Sequence, residues 1–410
     1  MRFTQLASCV ALALAITTTG QAMADSKPAP SVEELWRIIQ AQQKQIEALT
    51  KSAKQTEEKV EAAGELAEQS LAKASSSGKL LGDKTTIGGY GEVHYNNLEN
   101  GDGSDFKEID LHRFVINIDH EFSDRVRFFS ELEVEHGGVQ ASGSTLDGEV
   151  EVEQAFVEFD ITDNYAARGG VFIVPVGIIN ETHEPTTFYG VERNPIENII
   201  VPATWVTAGG GVSGRYENGI SFNFDVHSGL EIPTSGGSAF RIRSGRQKVS
   251  NAVANDLAAT GRLKYTGIPG LELAASLNYQ TDASQQSGDG LDEGLLFETH
   301  AIWNRGAFTA KALFAQWNFD GDAIEAADGD EQDGFYLEGS YKFAPAFGVF
   351  ARFDDVDGVR VQDEFEQFNV GFNYYPHEDV VLKFDYIDRE NDTDSDRDLD
   401  GFNVGIGYQF

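Results

Sequence analysis

Arg113, Arg127, Arg168, Arg215, Arg262 and Lys264 lie in stretches where large apolar residues alternate with small or polar ones. Lys311, Lys342, Arg352 and Lys383 follow in the same kind of setting. Fixed guanidinium and ammonium charges can replace the hydration of a passing anion, provided that they face one water-filled space. Glu131, Glu133, Glu135, Glu158, Asp225, Glu338, Asp354 and Asp385 occupy the same stretches. Each base could therefore be neutralised by a carboxylate on a neighbouring strand, which would stiffen a wall without giving it net selectivity. Ser213 and Ser221 beside His227 offer a nucleophile and a base, but no third residue orients them. No catalytic residue, metal ligand or cofactor is assigned on this pattern, and no nucleic acid is expected as a partner.

A second group falls in the long segment from Pro175 to Trp205, which carries Glu181, His183, Glu184, Glu192 and Arg193. The segment is too apolar and aromatic to move freely in water, and Pro185, Pro195 and Pro202 prevent it from being a strand. Folding back between the walls would bury its apolar residues and bring Glu181, His183, Glu184, Glu192 and Arg193 to a constriction. A lid at a subunit contact is the alternative.

The elements that must position these residues are strands. In the closing stretch, Phe402, Val404, Ile406, Tyr408 and Phe410 fall on every second position, and Gly401, Asn403, Gly405, Gly407 and Gln409 fill the other face. Period two places the two sets on opposite sides of a strand. One greasy face and one small, polar face suit a wall between lipid and water. An apolar strand of this kind must pair along both edges, so it is expected to close onto another strand. Residues 220–226 and 367–374 repeat the pattern, with Phe222, Phe224, Phe368 and Phe372 on one side and Asn223, Asp225, Asn369 and Asn373 on the other.

From Thr85 to Phe410 sixteen such runs can be placed, joined by seven short turns that alternate with eight long loops. That sorting by length predicts an antiparallel transmembrane β-barrel of about 16 strands, with turns at the periplasmic end and loops outside. A barrel of this size encloses an aqueous channel rather than a packed core. The formal charge of −36 is concentrated in the loops, among them the run Asp392, Asp394, Asp396, Asp398 and Asp400. The run approaches the oxygen spacing of a calcium loop but lacks the final Glu, and it reads as solvated surface.

Upstream, a basic start, an apolar core from about Val10 to Ile16 and the small-x-small site Ala22-Met23-Ala24 read as a signal peptide over residues 1–24. Cys9, the one cysteine, lies inside it, so thiol and disulfide chemistry are not expected of the remainder. From Val32 an apolar or small residue recurs at alternating steps of three and four for about six heptads, and Ser31 with Glu34 forms a capping box. Residues 25–79 are therefore expected to form a periplasmic coiled-coil helix and linker that makes the protein an oligomer, with the barrel over 80–410.

The coiled coil, the strand opening Ile87-Gly88-Gly89-Tyr90-Gly91-Glu92 and the segment Arg168-Gly169-Gly170-Val171-Phe172-Ile173-Val174-Pro175-Val176-Gly177 together resemble the phosphate-selective porin O/P family and its dicarboxylate-type relatives. The resemblance implies sixteen-stranded homotrimers in the outer membrane of a Gram-negative bacterium, surrounded by its lipid. They would pass small anions, phosphate or small carboxylates, through a constriction lined by basic residues. By position, Arg127, Arg168, Arg193 and Arg215 would take that role. Two other readings stand beside it. One is a cation-preferring or non-selective general pore governed by the acidic loops, and the other is a structural or adhesive outer-membrane protein tethered by its coiled coil.

Overall fold

A computed structural model describes residues 84–138 and 148–410. The expected signal peptide and the helical part of the expected coiled coil lie outside these residues. Sixteen strands follow one another around a closed sheet. They are β1 (Thr85–Asn100), β2 (Asp105–Ser123), β3 (Val126–Glu135), β4 (Val150–Asp160), β5 (Tyr165–Ile173), β6 (Val206–Arg215), β7 (Ile220–Ser228) and β8 (Leu257–Ile268). The second half comprises β9 (Leu271–Gln280), β10 (Gly294–Arg305), β11 (Phe308–Phe319), β12 (Glu331–Ala344), β13 (Phe347–Asp357), β14 (Glu364–His377), β15 (Val380–Asn391) and β16 (Leu399–Gln409). Every strand is antiparallel to its neighbours, and β16 closes on β1 with Tyr90 opposite Gln409 and Asn100 opposite Leu399. Phe410 and Gly89 exchange backbone hydrogen bonds of 2.9 and 3.0 Å at this seam, so no edge is left open.

Burial follows the alternation. On β14, Phe368 and Phe372 are exposed on the outside while Gln367, Asn369 and Asn373 are buried inside. On β7, Phe224 and Val226 are exposed outside while Asp225 and His227 are buried. Apolar outside and polar inside inverts a water-soluble protein and matches a lipid-facing wall. The short turns lie at the end that carries Phe410, and the long loops lie at the other. One expected loop is shorter than its composition suggests: Asn97 pairs with Lys107 and Glu99 with Asp105, and only residues 101–104 lie between β1 and β2. The polar character there belongs to a hairpin that continues past the apolar band, held by ladder bonds and, at its tip, by the Asn100 and Asp102 side chains, which both bond Ser104.

The lumen is partly filled. The β5–β6 loop, residues 174–205, turns inward and buries Val174, Val176, Ile196, Ile200, Val201 and Trp205. The β7–β8 loop, residues 229–256, joins it with Leu230, Ile232, Phe240 and Ile242. Both pack against Leu296, Leu313, Trp317, Tyr336, Val356 and Phe365, which face inward from β10 to β14. One side of the barrel therefore holds an apolar core at its loop end, while inward charged residues occur on that side as well, among them Glu338, Arg352 and Asp354.

Glycine on the inner face of β16 makes room for the inward loop. A Cβ on Gly407 would lie 2.5 Å from Cβ of Pro185, and one on Gly405 would lie 3.1 Å from Val191. Gly407→Ala is expected to weaken loop docking by overpacking of ~1–3 kcal/mol, leaving the barrel wall intact. Hydrogen exchange of amides 180–192 should then accelerate tenfold or more, and unchanged exchange would contradict this docking.

Candidate functional site

The loop across the lumen is held by a buried carboxylate. A single turn of helix, α1 (Ile196–Ile199), places Glu197 under the chain that enters the loop. Its Oε1 accepts hydrogen bonds from the amides of Ile178 at 2.5 Å and Ile179 at 2.6 Å, and its Oε2 accepts from Asn194 Nδ2 at 3.0 Å and the Tyr336 hydroxyl at 3.2 Å. Burial pushes this carboxyl upward, and the donors around it work in the opposite direction. Gly177 adopts a φ of +81°, and a Cβ there would lie 2.5 Å from Glu197 Oε1, so the turn over the carboxylate needs glycine. On the far side, Trp317 Nε1 donates to the Ile200 carbonyl at 3.0 Å and the Val191 amide donates to Asp385 at 2.5 Å.

The wall bases are mostly paired. Arg113 Nε donates to Glu92 at 2.6 Å, and its Nη2 donates to the His183 carbonyl at 2.5 Å. Arg127 is held by Glu158 and Asp160, each at 2.7 Å. Arg168 makes a two-pronged contact with Asp225 at 3.0 Å and lies 4.2 Å above the Phe172 ring. Arg262 pairs with Glu181 of the inward loop, and Lys264 pairs with Glu272 at 3.1 Å. Lys311 and Arg352 share Glu338, each at 3.7 Å, and Arg352 also holds Asp354 at 2.9 Å. Arg215 differs: it is exposed near the turn end of β6 and forms no ion pair among the described residues.

The inward loop brings its own residues to the walls. His183 is buried with Nε2 3.7 Å from Glu153, and Glu192 accepts from Asn96 and meets the His94 ring, both at 3.0 Å. Burial acts to raise the Glu192 carboxyl, but the His94 contact outweighs it and holds the group down to about 2. Glu184 is half-buried, and its carbonyl accepts from the Thr187 amide at 3.0 Å.

Arg193 belongs to a group that composition did not reveal. Its Nη1 donates to Thr204 Oγ1 at 3.0 Å, while Arg246 Nη1 donates to the Thr204 carbonyl at 2.8 Å and Arg243 Nη1 donates to the Ala203 carbonyl. Three guanidinium groups thus converge on one dipeptide, and none of them forms an ion pair among the described residues. Burial, and after it repulsion from Arg246 and Arg193, depress Arg243 strongly. A charge that its surroundings oppose in this way is stabilised by an incoming anion. Facing the group is an acidic wall: Glu133 and Glu135 on β3 and Glu151 and Glu153 on β4 point inward while Leu132 and Val152 are exposed outside. Lys248 links the two sides, with its Nζ 2.9 Å from Glu151 and 3.8 Å from Glu135.

Arg243 and Arg246 were not among the candidates read from the chain. A signal was present, because Arg241, Arg243, Arg246 and Lys248 crowd into eight residues of an otherwise acidic loop set.

A closed, lipid-faced barrel with two inward loops and an asymmetrically charged passage defines an outer-membrane channel. The chain belongs to the family of phosphate-selective porins O and P, whose model matches residues 87–410. An uncharacterised protein of Aquifex aeolicus is 31% identical over 355 residues, 79% of this chain and 80% of that one. The anion-selective porin of Comamonas acidovorans has a similar fold, with a TM-score of 0.54 at 14% identity over 80% of this chain and 99% of that one. OmpF of Salmonella typhi, solved with daunomycin, gives a TM-score of 0.54 at 12% identity over 80% of this chain and 97% of the other. The protein is an outer-membrane porin.

Proposed function

We propose that this porin passes small anions, of the phosphate or small-carboxylate class, by passive diffusion with anion preference. The observation that carries this reading is the convergence of Arg193, Arg243 and Arg246 on Ala203 and Thr204 without a carboxylate partner among the described residues. Wall arginines that are already neutralised add little net field, so the unpaired loop arginines set the sign of the passage. Arg215, exposed near the turn end and without an ion pair among the described residues, extends the same polarity along the route. The name of the Comamonas porin, anion-selective, agrees with this reading. Reversal potentials of the full protein in a planar bilayer under a potassium chloride gradient test it, with chloride then competed by phosphate and succinate. The second reading, cation preference, is favoured by the acidic wall of Glu133, Glu135, Glu151 and Glu153. A reversal potential of cationic sign would establish it.

The assembly proposed is a homotrimer in the outer membrane, with residues 25–79 as a periplasmic coiled coil. Support comes from the outer face of β4 to β6, where strands of 11, 9 and 10 residues place small side chains outward by register. Ala155 lies opposite Val171, and Gly169 lies opposite Gly210. A Cβ on Gly169 would meet nothing closer than 3.8 Å, so Gly169→Trp adds bulk to the outer surface only. The parent is expected to run as a heat-labile trimer on native electrophoresis and Gly169→Trp as a monomer that keeps its barrel. A variant that remained trimeric would place the subunit contact on another face.

A further inference from the structure

A cluster of nitrogen and oxygen donors stands at the loop end of the barrel, apart from the arginine group. A register shift separates the pairs Glu92–Arg113 and His94–Asp110, so β2 changes which of its residues face the lumen. Arg113 and Val115 face inward below the shift, and Asp110 and His112 face inward above it. His136 follows directly after β3 with a φ of +48° and turns its ring back over the same place. Asp110 Oδ2 lies 3.3 Å from His112 Nδ1 and 2.8 Å from His136 Nδ1, with the two imidazole rings edge to face at 5.7 Å. Their ligand atoms all lie within 4.8 Å of one another.

We propose that Asp110, His112 and His136 form a binding site for a zinc-class divalent transition metal at the loop-side mouth of the pore. Tetrahedral zinc with bonds of about 2.0–2.1 Å holds its ligand atoms about 3.3 Å apart, which matches the 3.3 Å of the Asp110–His112 pair and asks the 2.8 Å Asp110–His136 pair to open slightly. Two imidazoles and one carboxylate select zinc, copper or nickel over calcium or magnesium, which take oxygen donors. Three protein ligands leave one position for water, as in an open zinc site. The side chains retain 13%, 30% and 44% of their surface for Asp110, His112 and His136, so an ion from the loop side can reach them. His94 stacks on His112 at 4.6 Å and is itself fixed between Glu92 at 3.2 Å and Glu192 at 3.0 Å. The ring that supplies the central ligand is thereby oriented from behind, as supporting contacts orient metal ligands elsewhere.

Isothermal titration of the full, refolded, chelator-treated protein in detergent with zinc chloride tests the site. One ion per chain is expected, with affinity weakened at least tenfold by His136→Ala and by Asp110→Asn, and unchanged by His377→Ala. The last variant removes another candidate group, His377, Glu378 and Asp379 at a turn. Each variant is first shown to retain the heat-modifiable barrel and the parent's single-channel conductance, so that loss of zinc binding reports loss of ligands. Absence of zinc binding by the parent, equal binding by all variants, or loss that follows His377→Ala would each overturn the proposal.

Discussion

Replacing Arg243 and Arg246 together by alanine is expected to shift permeability toward cations by on the order of tenfold, with little change in barrel stability. The two side chains donate to the carbonyls of Ala203 and Thr204 and form no ion pair among the described residues, so their removal strands no buried carboxylate there. What disappears is positive charge facing Glu133, Glu135, Glu151 and Glu153. A unit charge at about 4 Å is worth about 1 kcal/mol in water and about 4 kcal/mol at the effective dielectric near a protein surface. Two such charges removed from a water-filled passage therefore exceed the 1.4 kcal/mol that corresponds to a tenfold ratio. The reversal potential in a salt gradient reads this directly. Arg168→Ala is the informative contrast, since Arg168 is paired with Asp225 at 3.0 Å. Its removal unmasks a buried carboxylate and should cost stability more than it changes selectivity. If Arg168→Ala shifts the reversal potential more than the double variant does, the paired wall and not the loop cluster governs the pore. High salt should reduce the difference between parent and double variant, because the screening length falls to about 3 Å at 1 M.

The second large effect is expected at Glu197. Glu197→Ala removes the acceptor of the Ile178 and Ile179 amides, of Asn194 Nδ2 and of the Tyr336 hydroxyl together. Each buried donor left without a partner costs ~1–3 kcal/mol, and even with water entering from the lumen a loss of about 3 kcal/mol is expected. That corresponds to hydrogen exchange on the order of a hundredfold faster across residues 176–205. The same variant should show larger and noisier single-channel currents, because the loop that fills the passage is no longer fixed. Glu197→Gln keeps one acceptor oxygen and should fall between the two. The barrel itself, closed by sixteen ladders that do not involve Glu197, should keep its heat resistance. Parent-like exchange and conductance in Glu197→Ala would mean that the apolar contacts of Ile196, Ile200 and Trp205 hold the loop by themselves.

The chain by itself determined the wall. Period two in residues such as Phe402, Val404 and Ile406 fixes which side meets lipid, because successive side chains of a strand point to opposite faces whatever else is present. The sorting of short and long connections gave the strand number. The apolar, proline-broken segment from 175 to 205 could be recognised as unfit for water, and it does turn into the lumen. Three things were decided only in tertiary structure. Alternation places Arg127, Arg168 and Arg262 on the inside but says nothing about which carboxylate lies opposite, since that depends on register and on loops that arrive from elsewhere. Arg262 finds Glu181, 81 residues away, and Arg168 finds Asp225, 57 residues away. The inward course of the loop from 229 to 256 was hidden because Leu230, Ile232, Phe240 and Ile242 are too scattered to form a periodic face, and they become a core only when Trp317 and Tyr336 supply the other half. The arginine cluster came last, because it exists only where two loops of separate origin meet at Ala203 and Thr204.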